Sequence, residues 1–441
     1  MKKQFILFTF VVLTALSVNG QTENKIKFSE YDLPNGLHVI LHQEDKTPNV
    51  MVSIMYHVGS KNEDPKKTGF AHLFEHLMFE GSKNIERGEF FKIIQSRGGM
   101  LNANTSQDRT YYFENMPSNE LELALWIESE RMLHAKIDSI GVATQKGVVI
   151  EERKQSYDNR PYGSFTEELG KRAFTVHPYS WQPIGSPEHI TNSTFEDVTN
   201  FYETFYVPNN AVLVVAGDFD EKQVKEWISD YFGNIPRGTR PIYRPTVVEP
   251  EQTREVRDTV YDNIQLPAVF MAYHAPAMGT KDAYSMKIVA QILFGGASSR
   301  FKVNLDDKGI CAQSLLFNSE TEHPGIIYVA GIANMGEDIK TVDEAISKEF
   351  EKISTELVTE EEFQMAMAAK EFEAASRLTT LSDIAELLAN NYTYFKDAGR
   401  INNELSFYEG ITREDLLRVA RKYFNPNSRV VLHYLPKSEM E

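Results

Sequence analysis

Apolar residues follow two rhythms along this chain. Short runs rich in Val, Ile and Leu predict strands. Pro48–Asn49–Val50 opens one and Pro267–Ala268–Val269 another, and Ala211–Val215 and Arg429–His433 read the same way. Longer stretches, Glu120–Leu133 and Thr341–Leu357 among them, carry apolar residues at the 3.6-residue spacing of amphipathic helices. Strands open each half and helices fill its middle, which is an α+β arrangement.

The pattern also repeats. Thr194–Phe195–Glu196–Asp197 leads through an apolar-striped helix to Phe205–Tyr206–Val207–Pro208–Asn209 and a strand. Thr412–Arg413–Glu414–Asp415 leads to Tyr423–Phe424–Asn425–Pro426–Asn427 and a strand, 218 residues later and without a gap. In each copy Thr is a good N-cap, with Asp three residues on, and Pro-Asn breaks the chain before the strand. A gapless run of this length implies duplication. The chain therefore divides into two homologous lobes, 22–235 and 257–441, joined by a Pro-rich linker over 236–256 that lacks periodicity.

The first twenty residues stand outside this plan. Lys2 and Lys3 precede the apolar run Phe5–Val18, small residues follow, and Gly20 is a cleavage position. This is the form of a bacterial secretory signal peptide over 1–20, predicting a periplasmic protein; an uncleaved anchor is the alternative. No later segment is apolar for long enough to cross a bilayer. Cys311 is the only cysteine, so no intrachain disulfide can form. With 46 Lys+Arg against 63 Asp+Glu the net charge is −17, which repels phosphate backbones and excludes nucleic acid as a partner.

The chemistry concentrates at His72–Leu73–Phe74–Glu75–His76. On a helix, positions i, i+3 and i+4 share one face, with Cβ atoms about 5–6 Å apart. Two imidazoles so placed can hold one Zn²⁺, and Glu75 then lies beside the ion, free to accept a proton from water that zinc has acidified. The order is that of the H-x-x-E-H inverzincins, the reverse of H-E-x-x-H. With 11 His in 441 residues, chance predicts on the order of 0.02 such matches, so coincidence is a weak explanation.

A catalytic zinc takes a third protein ligand and leaves a position open. The acidic candidates lie in Lys146–Lys154. If that segment is helical, Gln145, Val148, Val149 and Glu152 form one stripe, and Glu151 falls on a flank. A carboxylate on an apolar stripe needs a counter-charge, which favours Glu152 as the ligand. The competing reading pairs both acids with Arg153 and Lys154 on a solvated face.

At these residues the chain resembles the M16 peptidases, the group of pitrilysin, insulin-degrading enzyme and mitochondrial processing peptidase. The resemblance rests on Val58–Gly59–Ser60–Lys61–Asn62–Glu63, on Gly69–Ser82 around the histidines, and on Gly98–Gly99, Asn102–Ala103 and Thr110–Tyr111. It implies the duplicated LuxS/MPP-like metallohydrolase fold, in which each lobe is a mostly antiparallel sheet packed with helices. It implies one zinc per chain on His72, His76 and Glu152, the last 76 residues beyond the second His, with Glu75 as general base. It also implies a chamber between paired lobes, and peptides or unfolded segments bound as an added strand at Asn102 and Ala103.

Two departures from the family pattern follow. Gln145 stands where many members carry an acid supporting the metal ligands. The second-lobe segment of type L-R-E-K-x-G-L-x-Y reads Leu305–Asp306–Asp307–Lys308–Gly309–Ile310–Cys311–Ala312–Gln313, without its Arg or Tyr. Arg300 matches a different, structural position. Oxyanion stabilisation is commonly the largest catalytic contribution. The expectation is therefore a metal-free M16-type partner supplying Arg and Tyr in trans, or a homodimer. The rival expectation is a scaffold that kept the lobes and lost the chemistry.

Overall fold

The computed structural model describes residues 25–439. The expected signal peptide, 1–20, lies outside the described residues. The first sheet holds β1 (Ser29–Asp32), β2 (His38–Gln43), β3 (Asn49–Tyr56), β4 (Met100–Thr105), β5 (Thr110–Pro117) and β6 (Ala211–Gly217), in the order β1-β2-β6-β3-β5-β4. The second holds β7 (Val256–Asp262), β8 (Ala268–His274), β9 (Cys311–Asn318), β10 (Ile326–Ala333) and β11 (Arg429–Pro436), in the order β7-β11-β8-β10-β9. Apart from β1 the two orders are the same. Each sheet has one parallel pair, β2 with β6 and β7 with β11, and is otherwise antiparallel.

The repeat seen in the sequence is therefore a repeat of topology. Thr194 and Thr412 cap their helices, Phe195–Phe205 and Arg413–Tyr423, through full capping boxes with Asp197 and Asp415. The fronts of the lobes correspond with a different offset from the one Pro48 and Pro267 suggest. Tyr56 faces Ala211 and Tyr273 faces Arg429, so equivalent residues of β3 and β8 are 217 positions apart rather than 219. A two-residue slip keeps the same side chains inward, because strands repeat every second residue. Hydrophobic pattern alone therefore cannot fix it.

All seven residues of β6 are buried, as are seven of the eight of β3. These strands are covered on both faces, which explains continuous apolar runs in place of alternation. One face of each sheet packs on its own lobe's helices. The other face is covered by a helix from the opposite lobe. Leu169 and Ala173 of helix Phe165–Ala173 pack on Phe270 and Leu432 of the second sheet. Ile384, Leu388 and Ala389 of helix Leu381–Phe395 pack on Met51, Val212 and Val214 of the first.

Charged groups seal this joint. Lys61 is fully buried, with Nζ 2.7 Å from Asp108 Oδ1, and it also pairs with Glu322 of the β9–β10 turn. His57 Nε2 lies 2.8 Å from the same Glu322, and Tyr179 OH donates to Asp108 at 2.6 Å. No helix or strand lies between Phe232 and Val256, yet the segment is tied down: Asn62 Nδ2 donates to Tyr243 O, and Glu249 accepts from the N–H groups of Val176 and His177.

Candidate metal centre

The histidine motif forms a short helix, Phe70–Leu77, that packs on β4 and on helix Ser139–Arg153. Phe70, Leu73, Phe74 and Leu77 are buried in the first lobe's core, which fixes the helix's rotation. The opposite stripe carries His72, Glu75 and His76. Helix Ser139–Arg153 brings Glu152 to the same place. His72 Nε2 and His76 Nε2 are 3.4 Å apart. Glu152 Oε1 is 3.6 Å from His72 Nε2, and its Oε2 is 3.2 Å from His76 Nε2.

These separations test whether one ion fits. Donors about 2.0–2.1 Å from a tetrahedral zinc are about 3.3–3.4 Å apart. The three observed spacings bracket that value. Two imidazoles with one carboxylate is also the donor set of several catalytic zinc sites. Protonation is compatible with it: burial, and after it the neighbouring His76, push the His72 imidazole down to about 4. A neutral ring is the form that binds metal. The hydrogen bond from His76 holds the Glu152 carboxyl below its usual range.

Glu151 points elsewhere, pairing with Lys154 at 3.3 Å on the exposed flank. Arg153 turns to Glu167 and to Gly185 O, so neither neighbouring cation engages Glu152. The stripe read from the sequence is partly corrected. Val149 is buried, but Val148 is 43% exposed, so the inward row is Gln145, Val149 and Glu152. Glu75 is half-buried, and burial raises its carboxyl above the usual range, opposed by Thr105 and His76. The charge of Arg109, at the β4–β5 turn, also acts to lower it.

Two family models match this chain: insulinase (peptidase family M16) over residues 38–185, and the peptidase M16 inactive domain over residues 192–370. The chain belongs to the M16 peptidase family. Among its M16 relatives, the zinc protease PqqE of Helicobacter pylori is 29% identical over 440 residues, spanning 98% of this chain and 99% of that protein. The mitochondrial-processing peptidase subunit beta of Lentinula edodes is 23% identical over 427 residues, 91% of this chain and 89% of that one. The crystal structure of a protease from Helicobacter pylori matches with a TM-score of 0.89 at 29% identity, over 93% of this chain and 100% of that one. The first half of the periplasmic protease PqqL from Escherichia coli shares the fold, with a TM-score of 0.75 at 17% identity, over 93% and 92%.

The other M16 positions are placed as follows. Asn102 and Ala103 lie in β4, the edge strand beside the metal helix, rather than in a turn. Asn102 is exposed, and its side chain accepts the Ala103 N–H at 2.9 Å. Gln145 donates to Glu80 at 2.5 Å, and Glu80 in turn pairs with Arg87. It makes no hydrogen bond to the three converging donors, and His72 Nδ1 is buried without a partner among the described residues. Arg300 pairs with Glu362 inside the second lobe, at 2.7 and 3.1 Å. Asp306, where the resemblance leads one to expect Arg, lies close to Cys311, whose thiol burial pushes up to about 12. Sequence reasoning did not name Arg109 and gave Glu63 no role of its own; both approach the motif through the fold rather than through spacing.

Proposed function

We propose that this chain is a zinc metalloendopeptidase acting on peptides or unfolded polypeptide segments. The observation that carries the reading is the convergence of His72, His76 and Glu152 at ligand spacing, with Glu75 on the same helical face. The names of the relatives support it. When bound, one zinc ion supplies the Lewis acidity that acidifies water and polarises a carbonyl. His72, His76 and Glu152 would hold it. Glu75, its carboxyl raised by burial, takes the proton from the attacking water and returns it to the leaving amine nitrogen. The substrate lies extended along the free edge of β4, where main-chain hydrogen bonds bind it and Asn102 and Ala103 set its register. Gln145 supports the ligand helix through Glu80 rather than through the ligands.

The first lobe, 22–235, carries the chemistry, and the second, 257–441, has no cluster of metal-ligating side chains among the described residues. The second lobe's missing Arg and Tyr are supplied by a metal-free M16-type partner, making this chain the catalytic subunit of a heterodimer; a homodimer is the other arrangement. The basic, apolar N-terminus directs the chain to the periplasm, and no helix among the described residues is long and apolar enough to cross a membrane.

The test uses wild-type chain and Glu75→Gln with a quenched fluorescent, unstructured peptide and metal analysis. The expected outcome is one zinc in each protein, with turnover lower in the variant by about 10²–10⁴-fold. Equal turnover in the two proteins, or no zinc in the wild type, refutes the reading. Addition of a metal-free M16 partner raises the wild-type rate.

A further inference from the structure

The Gly59–Ser60–Lys61–Asn62–Glu63 turn is part of the sequence signature, yet none of its residues reaches the converging donors. Its backbone is locked to the β4–β5 turn. Ser60 N–H donates to Ser106 O at 3.2 Å, and Lys61 N–H to Gln107 O at 3.0 Å. A Cβ at Gly59 would lie 2.5 Å from the Gln107 carbonyl, so this close approach needs glycine. The turn thereby delivers Glu63, 3% exposed, beneath the start of the metal helix.

That helix needs an anchor. It has eight residues, a length at which an isolated helix is unstable, and its N-cap, Gly69 (φ 95°), has no side chain to satisfy the first N–H groups. Glu63 does so from six residues upstream. Its Oε2 accepts Gly69 N–H at 2.9 Å and its Oε1 accepts Ala71 N–H at 2.9 Å. Trp181 Nε1–H, at 3.0 Å from Oε2, holds the carboxylate from the other side and also donates to Ser60 O. Burial pushes the Glu63 carboxyl up to about 8, but both of its oxygens accept N–H groups and no partner offers an acceptor, so the geometry is that of a carboxylate, which a helix N-terminus favours. Ala71 immediately precedes His72.

We propose that Glu63 is a positioning residue: its carboxylate clamps the first turn of the metal helix and so sets the direction of the His72 imidazole. This rests on the zinc reading above. Glu63→Gln is the discriminating change, because it keeps the shape but aims an NH₂ group at an N–H donor. Amide exchange across Phe70–Leu77 in metal-free protein should accelerate by at least tenfold. Zinc affinity, read by competition with a chromophoric chelator, should fall about 10-fold, the lower end for groups that orient metal ligands. The visible spectrum of the cobalt-substituted protein should shift.

Faster exchange with unchanged zinc affinity and an unchanged cobalt spectrum would make Glu63 a structural cap only and overturn the proposal. So would wild-type values in all three measurements. If Glu63→Gln does not fold, Trp181→Phe, which removes one donor and keeps the packing, must move affinity and spectrum the same way by a smaller factor. Wild-type behaviour there overturns the proposal as well. Failure of the wild type to bind zinc would refute the peptidase reading instead, and the metal-free exchange experiment would still report on the clamp.

Discussion

Replacing Lys61 by Met removes the ammonium buried between Asp108 and Glu322 while keeping an unbranched side chain of similar length. The structure sets the size of the loss. At 2.7 Å, the Lys61–Asp108 attraction is about 6 kcal/mol with an effective dielectric near 20, much of it offset by the cost of burying both charges. Breaking such a pair costs about 3–5 kcal/mol, because a buried charge is left without its partner. Here the orphaned groups keep other donors. Asp108 retains Tyr179 OH and the Glu322 N–H, at 2.6 and 3.0 Å, and Glu322 retains His57. The expectation is therefore the low end, about 3 kcal/mol. Urea unfolding followed by tryptophan fluorescence measures it. The double variant Lys61→Met, Glu322→Gln removes one orphaned charge and should recover about 1 kcal/mol or more relative to additivity. A loss under about 1 kcal/mol, or strict additivity of the two changes, refutes the reasoning.

Leu388→Ala, on the helix that the second lobe lays on the first lobe's sheet, should cost about 2–5 kcal/mol, read from the same urea curves. A chelator should lower the thermal midpoint of the wild type and leave that of His76→Ala unchanged in differential scanning fluorimetry, since only the former has ligand binding to lose. Burial, followed by the neighbouring His323, pushes the His177 imidazole from its ordinary 6.5 down to about 4, against the pull of Asp108 and Glu249. Between those values the unfolded chain binds a proton that the folded chain does not, so stability is lost as pH falls from about 6.5 towards 4. His177→Gln should flatten that slope in unfolding curves collected across the window. Peptides N-methylated on the edge that meets β4 should show raised KM with little change in kcat, by steady-state kinetics.

The metal motif was legible because its geometry is local: helical periodicity alone puts positions 72, 75 and 76 on one face. Glu152 was legible as a candidate only, since spacing along one helix says nothing about which other helix it meets, and the stripe that singled it out wrongly included the exposed Val148. Capping boxes at Thr194 and Thr412 were readable for the same local reason. Asn102 and Ala103 were named only through the family resemblance, because a position on a sheet edge depends on strand order, which no local pattern encodes. Lys61 and Glu322 meet across 261 residues of chain, and helix Leu381–Phe395 reads as an ordinary amphipathic helix until its partner is known to be the other sheet. Glu63 was quoted as part of a signature without a role, because a cap supplied from outside its helix leaves no periodic trace.

The mutual covering of sheets by helices bears on how such a molecule could arise. A solitary half, with the helix equivalent to Phe165–Ala173 or Leu381–Phe395 reaching outward, would leave one side of its sheet bare. Its simplest remedy is to trade arms with a copy of itself around a twofold axis. Fusion of two such copies end to end would keep every contact, free one of two identical centres to lose its ligands, and leave each half unable to live without the other. Two fragments cut within 236–256 should accordingly find one another and reassemble when produced together.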